Sequence, residues 1–426
     1  MNRTFRSLRH RDYRWWAAGA LVSNTGTWMQ RIAQDWLAVQ VLPGSSGTAG
    51  GLTTALQFAP VLLLAPVAGA VADRFSRRRV LVATQVAMGS LAAAMGLLVL
   101  SGHAVLWHLY VFAALLGVAS ALDGPARLTI AGQLVPERDL PNAVALNAAS
   151  FNVARMTGPA AAGLLIAAVG AGPVFLLNAL SFVAALASLR AVRHVDAADL
   201  AGREAARAAG RPAGSLREGL RHVRARPELV VVLALVTVVG GLALNLQLTS
   251  ALVVGERFGL GSAQFGLAGT ALAVGSLCGA LLAARREGPR LRVLVGAAAA
   301  FGVLSAVSAL MPTYELYLLL LVPVGLASLT FTTTANATVQ TRSDPAVRGR
   351  VVALYLALLQ SGTVVGGPLV GWIGTRAGAQ WSVLACSVPA VLAALAAGAV
   401  LLVLARRRGR GRPAAVPGRP RPAALP

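Results

Sequence analysis

Apolar runs of about twenty residues, each closed by a short polar or glycine-containing break, recur along almost the whole chain. They place spans near residues 15–41, 49–72, 80–101, 104–126, 142–169, 172–192, 228–254, 262–284, 291–311, 315–338, 350–375 and 379–405. Each is long enough, as a helix, to cross the hydrocarbon core of a bilayer. The first, fourth and fifth are the least apolar because they carry polar or charged residues, and in a membrane protein such positions mark function. The pattern predicts an all-α polytopic membrane protein with twelve transmembrane helices.

Composition agrees. The chain of 426 residues is 56% hydrophobic and only 12% charged, with a mean hydropathy of +0.68, so the apolar excess must face lipid. Aromatic residues supply 5% and glycines number 45, which makes the apolar content a small-residue mixture suited to close helix packing.

A formal charge of +23 would suit a nucleic-acid binder, yet its distribution argues against that partner. All 38 basic residues are Arg, and most gather in alternate connections. Arg3, Arg6, Arg9, Arg11 and Arg14 precede the first span, the connection 43–48 has none, and Arg74, Arg77, Arg78 and Arg79 follow the second. Connections 101–104 and 170–173 are again free of Arg. By the positive-inside rule both termini are expected in the cytoplasm of a cell that keeps the chain in its inner membrane, facing anionic lipid. The start of the chain, with no small-residue cleavage site behind its first apolar run, is read as a retained helix. Without a Lys the chain also lacks the phosphate loop of ATP-driven transport.

Residues 193–227 separate two sets of six spans, giving segments 1–192, 193–227, 228–405 and a basic tail, 406–426, expected to be disordered. In the linker, Leu216, Leu220 and Val223 recur at helical spacing beside Arg217, Arg221 and Arg224, which fits either an amphipathic helix on lipid or a solvated helix. The sets repeat one another. Gly69-Ala-Val-Ala-Asp-Arg matches Gly279-Ala-Leu-Leu-Ala-Ala-Arg, Gly158-Pro159 matches Gly367-Pro368, and Val144-Ala-Leu matches Val352-Ala-Leu, at separations of 210, 209 and 208 residues. A shared offset implies two pseudo-symmetric six-helix halves of parallel topology.

Gly69-Ala-Val-Ala-Asp73-Arg74-Phe-Ser-Arg77-Arg78-Arg79 resembles the signature Gly-x-x-x-Asp-Arg-x-Gly-Arg-Arg of the major facilitator superfamily, with Ser76 where that family usually has Gly. The resemblance extends over nearly the whole chain and implies an inner gate. Asp73 would lock against the start of the eleventh helix near Gly349 to Val352, and Arg77 would bridge Asp73 to Asp123. Arg155-Met-Thr-Gly158-Pro159-Ala-Ala-Ala-Gly163 is similar to the family's exporter motif, in which Pro159 bends a helix and Gly158 and Gly163 admit a neighbour. More narrowly, the segments around Trp28 to Leu37, Val135 to Asn147 and Arg348 to Val351 resemble the branch that includes the enterobactin exporter, which implies efflux of a siderophore, drug or secondary metabolite.

Asp35 is the one carboxylate placed well inside a span, four residues after Arg31 and on the same helix face, with Arg155 as the other deep charge. Three readings of Asp35 stay open: a proton-coupling acid, a static partner of Arg31 or Arg155, and an outer-interface residue. Asn24, Gln34, Asn152, Asn245, Gln247, Asn336 and Gln360, together with Gln30, Asn147 and Thr333, are placed around a central cavity that is polar only in spots, each with interhelical hydrogen bonding as its alternative. Such a cavity suits an amphipathic small molecule. No histidine falls deep in a span and no metal spacing or paired deep carboxylates occur, so neither enzyme chemistry nor a cofactor is expected.

The function that emerges is a monomeric secondary transporter that exports a small amphipathic molecule by proton antiport and alternating access. An importer or facilitator of the same fold, or a membrane scaffold or sensor, is the competing class. The charge alternation makes a direct prediction: cysteines placed at Ser45 and Gly102 react with an impermeant thiol reagent from outside intact cells, and those at Arg78 and Ala205 only after the membrane is opened. Labelling at Arg78 in intact cells would overturn the topology.

Overall fold

The computed structural model describes residues 3–192, 216–284, 286, 288–344 and 347–410; most of the linker and the tail beyond Arg410 lie outside the described residues, while the tail's first residues, expected to be disordered, continue the last helix to Arg410. After a short 3-10 segment, Arg3–Arg9, the elements are α1 (Arg11–Trp36), α2 (Gly47–Leu63), α3 (Ala65–Arg74), α4 (Arg77–Leu100), α5 (Leu106–Gln133), α6 (Leu140–Val169) and α7 (Gly172–Ala191). Then come α8 (Leu216–Arg224), α9 (Pro227–Val238), α10 (Leu246–Leu252), α11 (Ser262–Ala284), α12 (Leu291–Leu310), α13 (Tyr314–Arg342), α14 (Arg348–Ala377) and α15 (Ala379–Arg410).

Among the described residues, 10 helical stretches are long and apolar enough to cross a membrane, which makes this an all-α, multi-pass membrane protein. The first two spans expected from the sequence fall short of that measure for legible reasons. Helix α1 is diluted by its polar face and continues through a π turn, Leu37–Val41. The span expected over 49–72 is cut at Leu64 (φ −91°, ψ 3°), between Pro60 and Pro66, into α2 and α3. Past the cut, Ser76 accepts a hydrogen bond from the Arg79 amide and so caps α4, a use for the side chain that stands where the resembled motif has glycine.

A second break was not legible as such. The expected span 228–254 is one long rod, Pro227–Arg257, only in outline. Helix α9 ends at Val238, a π turn follows at Val239–Ala243, and Asn245 (φ −80°, ψ 40°) leaves helical geometry before α10 begins. The Asn245 side-chain amide donates to the carbonyls of Gly241 (3.1 Å) and Leu242 (3.3 Å), replacing backbone partners that the break removes.

Lipid supplies no hydrophobic force between helices, so contact depends on small residues and van der Waals fit. Helices α1 and α7 meet where Gly26 faces Asn178 and Ser181, α2 and α5 where Gly117 faces the Gln57 carbonyl, and α11 and α13 where Gly275 faces Val322 and Gly325 faces Leu272. Helices before the linker touch those after it along α2 and α14 and along α6 and α11. There Gly47 faces Gly371, Gly51 faces Gly367, and Gly163 faces Ser262 and Gly266. Side chains such as Leu63, Leu164, Leu319 and Val365 point outward, exposed to what would be lipid.

Ion pairs gather at the Arg-rich end. The enclosed Asp139 side chain, before α6, takes Arg6, Arg9 (2.9 Å) and His10 (2.8 Å) from the N-terminal segment. Helix α8 packs against α14, Glu218 pairing with Arg350, while Arg226 (2.7 Å) and His222 (3.4 Å) reach Asp344. Val223 is buried and Leu220 exposed, so the linker helix is docked on protein along part of its apolar face.

The His10 hydrogen bond, joined by those from Arg6 and Arg9, holds the Asp139 carboxyl well below the usual carboxylate range. A depressed carboxylate contributes stability that is present above its unfolded pKa and is lost only as pH falls through the folded one. Thermal unfolding in detergent should therefore show Asp139→Asn melting a few degrees below the wild type at about pH 5, where the folded carboxyl is still ionised. Equal melting of the two at that pH would contradict the assignment.

Candidate functional site

The face of α1 that carries Trp28, Arg31 and Asp35, at i, i+3 and i+7, looks into a central cavity of about 300 Å³. Helix α2 contributes Thr54, Gln57 and Phe58, at i, i+3 and i+4, and α6 contributes Arg155 and Pro159. From the other side come the α9–α10 break with Asn245 and Gln247, α11 with Gly269 and Ser276, α13 with Ser328 and Thr332, and Thr363 of α14.

Charge in this space is one-sided. Among its lining residues the charged groups are Arg31, Asp35 and Arg155, all from helices before the linker, while the later helices supply amides, hydroxyls and aliphatic surface. The Arg31 guanidinium sits over the Phe58 ring at 4.6 Å and the Trp28 ring at 5.3 Å from their centroids. Asp35 is buried and makes no hydrogen bond or ion pair with any described residue. Behind it, Gln34 donates to Gln57 (3.1 Å) and Asn178 donates to Gln30 (2.7 Å), tying α1 to α2 and to α7. Gly158 lies against Trp28, and Pro159 against Gly266 and Gly269, so the α6 motif forms the wall where α1 and α11 meet it.

The structure thus brings Arg31, Asp35, Arg155, Asn245 and Gln247 to one cavity. Asp35 lies within the helix, with α1 and its π turn continuing to Val41 before the connection begins. Asn24, Gln34, Asn152, Asn336 and Gln360 do not line the cavity; Gln34 is spent on Gln57, and Asn336 accepts from Gln340 (2.9 Å). Gln30 and Thr333 are likewise engaged in interhelical or backbone bonds, and Asn147 is not a lining residue. Gln57 and Phe58 escaped the sequence reading, although their spacing from Thr54 is that of one helix face.

The gate expected from the motif is arranged differently around Asp123. Helix α5 runs to Gln133, and Asp123 on it is buried between Thr84 (2.8 Å), Gln85 (2.8 Å) and, one turn on, Arg127 (2.8 Å). Arg77 is therefore not its partner. The surroundings of Gly69 and of the Asp73 side chain are not among those described, and a Cβ placed at Gly349 would meet nothing within 4 Å. Arg74 stacks beside Phe75.

A bundle of apolar helices around a central, sparsely charged cavity is the architecture that a family comparison then identifies. Residues 2–409 match the model of the transmembrane secretion effector family of major facilitator transporters. The chain belongs to that family. It is 30% identical over 397 residues to the multidrug efflux pump Tap of Mycobacterium tuberculosis, covering 88% of this chain and 90% of Tap. Tap of Mycolicibacterium fortuitum is 27% identical over 384 residues, covering 88% and 91%. Among solved structures, an inward-facing, occupied bacterial homologue of the human lysosomal transporter Spinster superposes with a TM-score of 0.70 at 16% identity, covering 96% of this chain and 99% of that one. The chain is therefore a membrane transporter of small molecules and not an enzyme.

Proposed function

We propose that the protein exports a small amphipathic molecule from the cytoplasm by proton antiport, with twelve membrane crossings in two pseudo-symmetric halves and both termini cytoplasmic. The repeat offsets support the two halves, as does the pairing of α2 with α14 and of α6 with α11, contacts that a two-fold axis would exchange. The Arg-rich connections support the orientation. The likeness to the multidrug efflux pump Tap supports export, and the mixed lining of aromatic, aliphatic and single polar groups suits an amphipathic ligand. In this reading the protein works as a monomer in the cell membrane, its basic face against anionic lipid, with glycine contacts near Gly47 and Gly371 closing the outer end and the fifth-helix motif Gly158, Pro159 and Gly163 serving as a rocking surface.

The observation that carries the coupling is Asp35: among the cavity's lining residues it is the only carboxylate, and it forms no ion pair or hydrogen bond with a described residue. Between two states of alternating access, a change in its distance from Arg31 or Arg155 alters its proton affinity, which joins proton exchange to ligand exchange. Asp35→Asn should abolish uphill transport driven by a pH gradient in proteoliposomes yet keep part of the downhill exchange, because the cavity survives the change. Asp35→Glu should keep some coupling. Accumulation by Asp35→Asn against a gradient, with ΔpH as the sole energy source, would contradict the assignment.

A further inference from the structure

Arg31 stands one helical turn before Asp35 on the same face, close enough for a long side chain to reach the carboxylate, yet it forms no ion pair with it. Its guanidinium lies instead over Phe58 and Trp28. A cation over an aromatic face is held more weakly than a guanidinium against a carboxylate in a dry cavity. The ring seat is therefore the preferred one only while Asp35 is neutral. The rings of Trp28 and Phe58 line the cavity, as Asp35 does, so a ligand has access to the ring seat.

We propose that Arg31 is a two-position switch, and that a ligand with a flat apolar or aromatic face drives it by taking the Trp28 and Phe58 rings for itself. Displaced from the rings, Arg31 turns onto Asp35, favours the ionised carboxylate and expels its proton. When the ligand leaves, the rings are free, Arg31 returns to them, and Asp35 can be protonated again. Ligand and proton thus exclude one another without touching the same atom. The ligand needs an apolar face and no particular charge, which gives one site breadth of substrate. This rests on the reading of Asp35 as the proton carrier.

Other charged groups leave the switch room to act. The charged side chains lining the cavity with Asp35 are Arg31 on its own helix and Arg155 on α6. Helices α2, α10 and α11 bring no charged residue, and Arg190 of α7 and the Asp123–Arg127 pair of α5 lie outside the lining. Arg155 has no hydrogen bond or ion pair with a described residue and supplies a constant positive background. Trp28 and Phe58 are positioning residues for Arg31 as well as a surface for the ligand.

The test measures protons released per molecule bound, using the full chain in detergent in weak buffer with a pH indicator and the neutral aromatic dye N-phenyl-1-naphthylamine. Wild-type protein should release protons as the dye binds, and Asp35→Asn should release none. Arg31→Gln should lower the yield per bound dye by about threefold or more, with Arg31→Lys recovering part of it, since a lysine can occupy both seats. Phe58→Leu should weaken dye binding and lower the proton yield per bound dye, because Arg31 then rests on Asp35 beforehand; a merely structural phenylalanine would not change that ratio. Should Arg31→Gln fail to fold, Arg31→Lys and Phe58→Leu carry the test. An unchanged yield in Arg31→Gln, or in Phe58→Leu, overturns the switch and leaves the role of Asp35 standing. Release that persists in Asp35→Asn overturns that role and the switch with it. Absence of saturable binding, or binding without release, in the wild type overturns the switch.

Discussion

A bilayer offers a buried polar group no water and offers two helices no hydrophobic reason to meet, and both deprivations shape this protein. Because apolar burial does not hold the helices together, close approach does, and glycines supply it at nearly every long contact, from Gly26 on α1 to Gly371 on α14. Because a stranded charge is costly, polar residues are either spent on neighbours or turned toward a central space. Gln30 and Gln34 take the first course, with Asn178 and Gln57 as partners; Arg31, Asp35 and Arg155 take the second.

The same rule explains the broken rod after the linker. Irregular backbone at membrane depth is tolerated where it lines a cavity and where another group satisfies the freed carbonyls. The stretch from Val239 to Asn245 meets both conditions, since Asn245 bonds the Gly241 and Leu242 carbonyls and the residues beyond it face the cavity. Gly241 and Gly366 allow α14 to approach this segment closely. The cavity wall opposite the charges is therefore built from backbone shape and neutral side chains, while the wall with the charges comes from regular helix faces of α1, α2 and α6. The cavity thus presents charged groups on one side and neutral, mostly apolar surface on the other.

Much of this was legible before any coordinates. Hydropathy located the spans to within a few residues for most helices, since length and apolar content are what a membrane demands. Asp35, Arg31 and Arg155 were found because deep charge is rare. What the sequence hid was direction: Gln34, Asn336 and Gln360 are as polar as Asn245, and only packing decides which of them sees the cavity. The bond expected between Arg77 and Asp123 failed for a similar reason. Arg127, one turn after Asp123 on the same helix, pairs with it in the place expected for Arg77. The two helix breaks left signals, Pro60 with Pro66 in one case and Gly240 with Gly241 in the other, but glycine and proline are too frequent in this chain to be decisive.

The central claim is that ligand and proton move in opposite directions through one cavity. Its most direct test is proton flux in inverted membrane vesicles that contain the protein, energised to an acidic lumen and then given an amphipathic drug. The account predicts that the drug drains the pH gradient only when the protein is present, as protons leave the lumen in exchange for drug entering it. A drug that enters the vesicles without discharging the gradient, or that deepens it, would contradict antiport.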